Sequence, residues 1–254
     1  MTTIIECINV WKCYGRSPRG IKELLIGKSK QRESRFSRNW ALQDVSFNID
    51  KGCSFGIVGH NGTGKSTLLS LILGSIKPDK GSIKCNGRVA SLLELGAGFH
   101  PELSGKENIY LYGSILGLTL HEINQEINNI IEFSELGGAI NNPIRTYSNG
   151  MIARLGFSVI IHSPADVLLI DEVLAVGDSR FQLKCYKFLH DFREKGGTLV
   201  IVSHEMATLK AVCDMGICID MGRVVYSGNI DGVISHHRKL MQQSKMDNAD
   251  RLAS

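Results

Sequence analysis

Nine consecutive residues, Gly59-His60-Asn61-Gly62-Thr63-Gly64-Lys65-Ser66-Thr67, restrict the possible folds of this chain more than any others. The run before them, Ser54-Phe55-Gly56-Ile57-Val58, is apolar and short enough for a buried strand. The run after them, Ser66 to Leu73, has the periodicity of a helix. Glycines at this spacing let backbone N–H groups wrap a phosphate, and the helix N-terminus adds favourable partial charge. Lys65 is then placed to reach the β and γ oxygens of a nucleotide, and the Ser66 hydroxyl to ligand Mg²⁺. A glycine-rich turn without function is the rival reading. A buried strand before it and a helix after it weigh against that.

A second constraint lies between Tyr147 and Asp178. Tyr147-Ser148-Asn149-Gly150-Met151 is a polar turn that opens an amphipathic run, and Val167-Leu168-Leu169-Ile170 is an apolar strand that ends on Asp171-Glu172. At a strand end, Asp171 can hold the Mg²⁺ shell. Glu172 points elsewhere and is the candidate to orient and deprotonate an attacking water. Two solvated carboxylates are the alternative. His204 closes the next strand pattern, at the sheet edge where ligands gather, which suggests a contact to the γ-phosphate.

The rest of the chain organises around these segments. Ile4–Val10, Val45–Ile49, Gly81–Cys85, Val89–Leu93, Thr198–Val202, Ile217–Ile219 and Val224–Tyr226 read as further strands. Only helical periods occur from Lys106 to Ile161, with a capping-box pattern at Thr119–Glu122 and a break at Pro143. A helix from about Asp231 to Gln243 precedes a polar tail, 244–254, expected to be unstructured. The expected architecture is an α/β P-loop core with a mostly parallel sheet. It carries an N-terminal antiparallel β region and an inserted helical subdomain. The division is 1–100 and 162–243 for the core and β regions, 101–161 for the helical subdomain, and 15–39 for a basic insertion.

Composition narrows the setting. No run approaches the ~20 apolar residues that span a bilayer, and the N-terminus lacks a signal-peptide pattern. Seven cysteines without a Cys-x-x-Cys pair suggest a reducing compartment and no metal cluster. The net charge of +4 is local, because Gly15–Asn39 holds eight basic and two acidic residues.

The order of these motifs resembles the ATP-binding subunits of ABC transporters across nearly the whole chain. The resemblance implies ATP and Mg²⁺ as ligands and a homodimer that hydrolyses ATP at its interface. Ser148, Asn149 and Gly150 would be the signature motif, usually Leu-Ser-Gly-Gly-Gln, which caps the γ-phosphate held by the other copy. Asn149 replaces a glycine and Met151 the glutamine. Asp178 matches the D-loop aspartate of the dimer interface, and Tyr14 matches the aromatic that stacks on adenine. Trp11 is a competitor for that role, and an aromatic at either position can also simply pack in the core. The family's Mg²⁺-linking glutamine has no counterpart after Val89–Leu93, where Glu94 is the nearest polar group.

Two longer stretches, Leu92–Ile109 and Asp171–Asp178 with Phe181-Gln182 and Lys184-Cys185, are similar to the polysaccharide-exporting subgroup. These are Wzt-type ATPases that export lipid-linked O-antigen, and the expected match is to their short form without a C-terminal carbohydrate-binding domain. Teichoic acid and capsule exporters are close alternatives. The resemblance implies a separate transmembrane permease in two copies, a lipid-linked polysaccharide as cargo, and a place on the cytoplasmic face of the inner membrane. The basic insertion would lie beside the membrane, where each Lys or Arg contributes about 1 kcal/mol near anionic lipid. A solvated loop is the alternative. A soluble ABC ATPase acting on nucleic acid or ribosomes would carry two cassettes or a coiled coil. Neither pattern is present, so nucleic acid is not an expected partner. The motifs near Glu94 and Gly177 count against an importer ATPase.

Overall fold

The computed structural model describes residues 2–14, 39–93, 95–171, 177–203 and 205–253. The basic insertion up to residue 38, Glu94, Glu172 and His204 therefore lie outside the described residues.

Two sheets form the frame. Strands β1 (Thr3–Tyr14), β2 (Asn39–Asp50) and β4 (Lys80–Cys85) make an antiparallel sheet in the order β2-β1-β4. Strands β3 (Ser54–Val58), β5 (Val89–Ser91), β6 (Val167–Asp171), β7 (Thr198–Val202), β8 (Met215–Asp220) and β9 (Arg223–Asn229) form the second sheet. Its order is β5-β6-β7-β3-β8-β9, and only β9 runs antiparallel to its neighbour. The strands expected at Gly81–Cys85 and Val89–Leu93 belong to different sheets, as β4 and β5.

The central strands β3 and β7 are buried at every residue and mostly apolar, because both faces are covered. Alternate side chains enter different cores, as the two-residue period of a strand requires. Leu168, Ile170, Leu199 and Ile201 join one cluster with the helical elements, and Val167, Leu169, Val200 and Val202 join another with β1, β2 and the helix after β3.

The helices are α1 (Lys65–Leu73), α2 (Gly105–Ile115), α3 (Leu120–Ser134), α4 (Asn149–Ile161), α5 (Ser179–Glu194), α6 (Met206–Val212) and α7 (Ile230–Ala253). Two short 3₁₀ turns, Gly137–Asn141 and Ile144–Thr146, join α3 to α4. The capping box at Thr119 and Glu122 is present, and Ser104 with Glu107 forms a second one. Arg88, just before β5, ties α3 to the sheet edge through Glu122 at 2.7 Å. That guanidinium, followed by the Thr119 backbone N–H, holds the Glu122 carboxyl down at about 2.

The last helix departs from the sequence reading. It runs on to Ala253, where an unstructured tail was expected. The segment from Ser244 onward has no Gly or Pro and contains Lys, Met, Ala, Arg and Leu, all good helix formers.

Candidate nucleotide site

The glycine loop sits where β3, the strand between β7 and β8, gives way to α1. Val58 is buried, and the chain turns through Gly62 (φ 80°) and Gly64 (φ 101°), a backbone region that L side chains avoid. Gly64 is the N-cap of α1 and supplies no side chain to the first turn, which also lacks acidic residues. The helix's first N–H groups therefore face the loop without a competing carboxylate. Lys65 is 8% exposed, and its Nζ donates to the Gly59 and His60 carbonyls, each at 2.8 Å. The His60 carbonyl also accepts from the Thr63 hydroxyl at 2.8 Å and the Thr63 N–H at 3.3 Å.

A cavity of about 420 Å³ opens over this loop, lined by Ala41, Asn61, Gly62, Gly64, Lys65, Ser66, Thr67 and Asp171. Asp171 reaches it because it ends β6, opposite Val202 of β7, which itself pairs with β3. A lysine, two hydroxyls, a carboxylate and a helix N-terminus thus share one depression at the carboxyl edge of a parallel sheet. Ala41 was not apparent from sequence. It lines the cavity because β2 crosses close to the loop, where a Cβ on Gly64 would meet the Ala41 carbonyl.

The other predicted residues lie elsewhere. Ser148 is the N-cap of α4, and its Oγ accepts from the Met151 N–H at 3.3 Å. Ser148 and Asn149 are exposed, and a Cβ on Gly150 would meet nothing closer than Ser148 Oγ at 3.8 Å. This helix start is therefore open, and none of its residues lines the cavity of its own chain. Tyr147, by contrast, is a core residue. Its hydroxyl donates to the Ala139 carbonyl at 2.6 Å, and burial pushes its pKa up.

Asp178 caps α5 by accepting from the Phe181 N–H at 2.9 Å and takes a second bond from Arg154 at 2.8 Å. The Phe181 N–H and then Arg154 hold its carboxyl below the usual range. Arg154 was missed in the sequence. It lies on α4 one turn past the open helix start, also pairs with Glu135 at 3.8 Å, and stacks over Phe181 at 5.0 Å. It joins the Ser148 helix to the Asp178 turn within one chain.

Tyr14 ends β1, is 53% exposed and does not line the cavity. Trp11, its competitor, is engaged edge-on with Trp40 at 5.1 Å, with the Lys80 ammonium 5.3 Å from its ring. That leaves Tyr14 the more accessible ring.

A parallel sheet with a lysine-bearing glycine loop at its carboxyl edge, and a carboxylate two strands away, defines a P-loop nucleotide-binding fold. The chain belongs to the ABC transporter family, whose model matches residues 42–175, more than half of its length. It is 46% identical to the O-antigen export system ATP-binding protein RfbB of Klebsiella pneumoniae, over 95% of this chain and 100% of that one. It is 42% identical to the teichoic acids export ATP-binding protein TagH of Lactococcus lactis, over 91% of this chain and 48% of that one. Among solved structures, the ATP-binding subunit of an ABC transporter matches with a TM-score of 0.72 at 22% identity, covering 91% of both chains. An ATP-binding cassette determined as a dimer in a post-hydrolysis state matches with a TM-score of 0.70 at 20% identity, covering 89% of this chain and 98% of that one. The fold is thus that of an ATP-binding cassette.

Proposed function

We propose that this chain is the ATPase motor subunit of an exporter that moves a lipid-linked, O-antigen-like polysaccharide across the inner membrane. One observation carries the mechanism. The cavity of a single chain gathers Lys65, Ser66, Thr67 and Asp171, while the open start of α4 at Ser148–Gly150 lies outside it. Half of a phosphate cage is built, and a second helix N-terminus is left facing outward. Two copies arranged head to tail complete two cages, with Ser148, Asn149 and Gly150 of one copy over the γ-phosphate of the other.

Within each cage Lys65 leaves the Gly59 and His60 carbonyls for phosphate oxygens. Residues 59–67 wrap the phosphates with backbone N–H groups. Tyr14 stacks on adenine. Ser66 and Asp171 fit Mg²⁺, since a hydroxyl and one carboxylate on the same cavity are the hard-oxygen donors that this ion takes alongside phosphate. Mg²⁺ bound there would neutralise charge developing on the phosphate oxygens. Glu172, next after Asp171, acts as general base toward water, His204 contacts the γ-phosphate, and Glu94 is the polar residue nearest to the place of the family's Mg²⁺-linking glutamine. Asp178 lies at the dimer interface, positioned by Arg154.

No helix among the described residues is long and apolar enough to cross a membrane. Membrane attachment through two copies of a permease is what the family resemblance implies. The polysaccharide cargo is supported by the relatives' names and by full-length coverage of the Klebsiella pneumoniae protein. The test is complementation. In a strain deleted for its own O-antigen export ATPase but keeping the permease, the wild-type chain should restore surface polysaccharide and Glu172→Gln should not. Failure with an O-antigen permease, together with rescue of a teichoic acid exporter, would move the cargo to that class.

A further inference from the structure

We infer that His237 is a positioning residue for ATP binding, bracing the phosphate loop from the last helix through a ring contact with His60. The two imidazole centroids lie 5.5 Å apart with the rings tilted by 45°. His237 is only 7% exposed. It reaches the loop because the first turns of α7 are buried on the sheet. Ile230, Val233 and Ile234 pack in the same cluster as Val58, two residues before His60. The stack of His236 on Tyr226, centroids 5.3 Å apart and rings 20° from parallel, fixes the rotation of the helix on β9.

His60 is the residue at which such a brace has leverage. Its carbonyl accepts the Thr63 N–H, the Thr63 hydroxyl and the Lys65 ammonium. The orientation of the His60 peptide therefore decides both the turn from 60 to 63 and where the lysine waits. When nucleotide arrives, Lys65 must exchange these carbonyls for phosphate oxygens while the loop keeps its shape. A ring held against the His60 side chain from outside limits the alternatives open to the empty loop. Pre-organisation of this kind acts on binding and not on the chemical step. The inference rests on the reading of residues 59–67 as the ATP-binding loop.

The experiment uses the full chain and Mg-ATP, with equilibrium dialysis for affinity and steady-state hydrolysis for the KM and kcat split. His237→Ala should raise the Kd and KM for ATP about two- to tenfold, the range equivalent to one ring pair at about 0.5–1.5 kcal/mol. Its kcat should stay within about twofold of wild type. His237→Phe, which keeps a ring, should restore the affinity, and His237→Gln should not. Unchanged affinity in His237→Ala, or a fall in kcat at constant KM, would overturn the proposal. If His237→Ala does not fold, the Phe and Gln variants decide, and equal affinities in those two overturn it. Lys65→Ala separates the two layers of the argument: wild-type ATP affinity in that variant would refute the loop reading itself.

Discussion

Gly62 and Gly64 allow backbone strain and steric collision to be measured apart in one loop. Both have positive φ, 80° and 101°. An alanine at either position carries the left-handed penalty of about 1–2 kcal/mol, offset by about 0.4–1 kcal/mol from the stiffer unfolded chain. At Gly62 nothing lies within 4 Å of the added methyl, so the net cost is about 1 kcal/mol. At Gly64 the methyl would strike the Ala41 carbonyl and stand 2.7 Å from Leu42 Cδ2. Leu42 is fully buried and β2 is held by its ladder with β1, so neither yields readily. Overpacking of this kind adds about 1–3 kcal/mol, for a total of roughly 2–4 kcal/mol. In a chain of this size each kcal/mol moves Tm by about 2–4 °C. Thermal melts should therefore show a drop of a few degrees for Gly62→Ala and about 5–15 °C for Gly64→Ala. ATP binding should separate differently. Gly62 lines the cavity, so on the proposed phosphate-loop reading an added methyl there should weaken ATP affinity by about tenfold or more despite the mild melt. Equal Tm shifts in the two variants would refute the collision argument. Unchanged ATP affinity in Gly62→Ala would show that the phosphates do not approach that side of the loop.

Glu172→Gln should keep ATP binding, lower steady-state hydrolysis by about a hundredfold or more and trap an ATP-bound dimer; hydrolysis within about threefold of wild type would place the base elsewhere. Mixed dimers of Ser148→Arg and Lys65→Ala chains should hold one doubly damaged and one intact site, read as nucleotide occupancy. Equal damage to both sites would mean that the Ser148 helix start acts on its own chain. The Glu122 carboxyl, held at about 2 against an ordinary 4.5 by Arg88 and the Thr119 N–H, contributes stability above about pH 4.5 that is lost as pH falls toward 2. Glu122→Gln should flatten that part of the acid unfolding curve, and an unchanged curve would show that the Arg88 link adds nothing. Reversing Lys28, Lys30 and Arg32 to glutamate should weaken flotation with permease-containing liposomes but spare basal ATPase; normal flotation and export would leave the basic segment as a solvated loop.

Local patterns were legible in the sequence where a single segment decides its own structure. β3 and β7 span the residues their apolar runs imply, Thr119 and Glu122 form the capping box, and Ser148 caps its helix. The cysteines behave as small hydrophobes, with burial pushing Cys7, Cys185 and Cys213 up to about 12. What was not legible depends on segments meeting through the fold. Arg154 is one polar residue in an amphipathic helix until α5 brings Asp178 against it. Ala41 is unremarkable until β2 passes the glycine loop. The extension of β1 to Tyr14 follows from pairing with Asn39, across an intervening stretch that carries no strand signal of its own. The run of α7 past Gln243 follows helix propensity, which the polar composition of that segment obscures.

The tryptophan pair has a spectroscopic consequence. The chain contains two tryptophans, and they touch each other, edge to face at 5.1 Å. Trp11 stands three residues before Tyr14, and Trp40 is the neighbour of Ala41 on the cavity wall. All indole emission of the native protein therefore arises from one corner of the antiparallel sheet, near in sequence to the proposed adenine platform. Titrating unlabelled nucleotide against this signal would test whether that corner senses occupancy. The same economy sets a blind spot, since loosening of the helical elements between residues 105 and 161 would leave the emission unaltered.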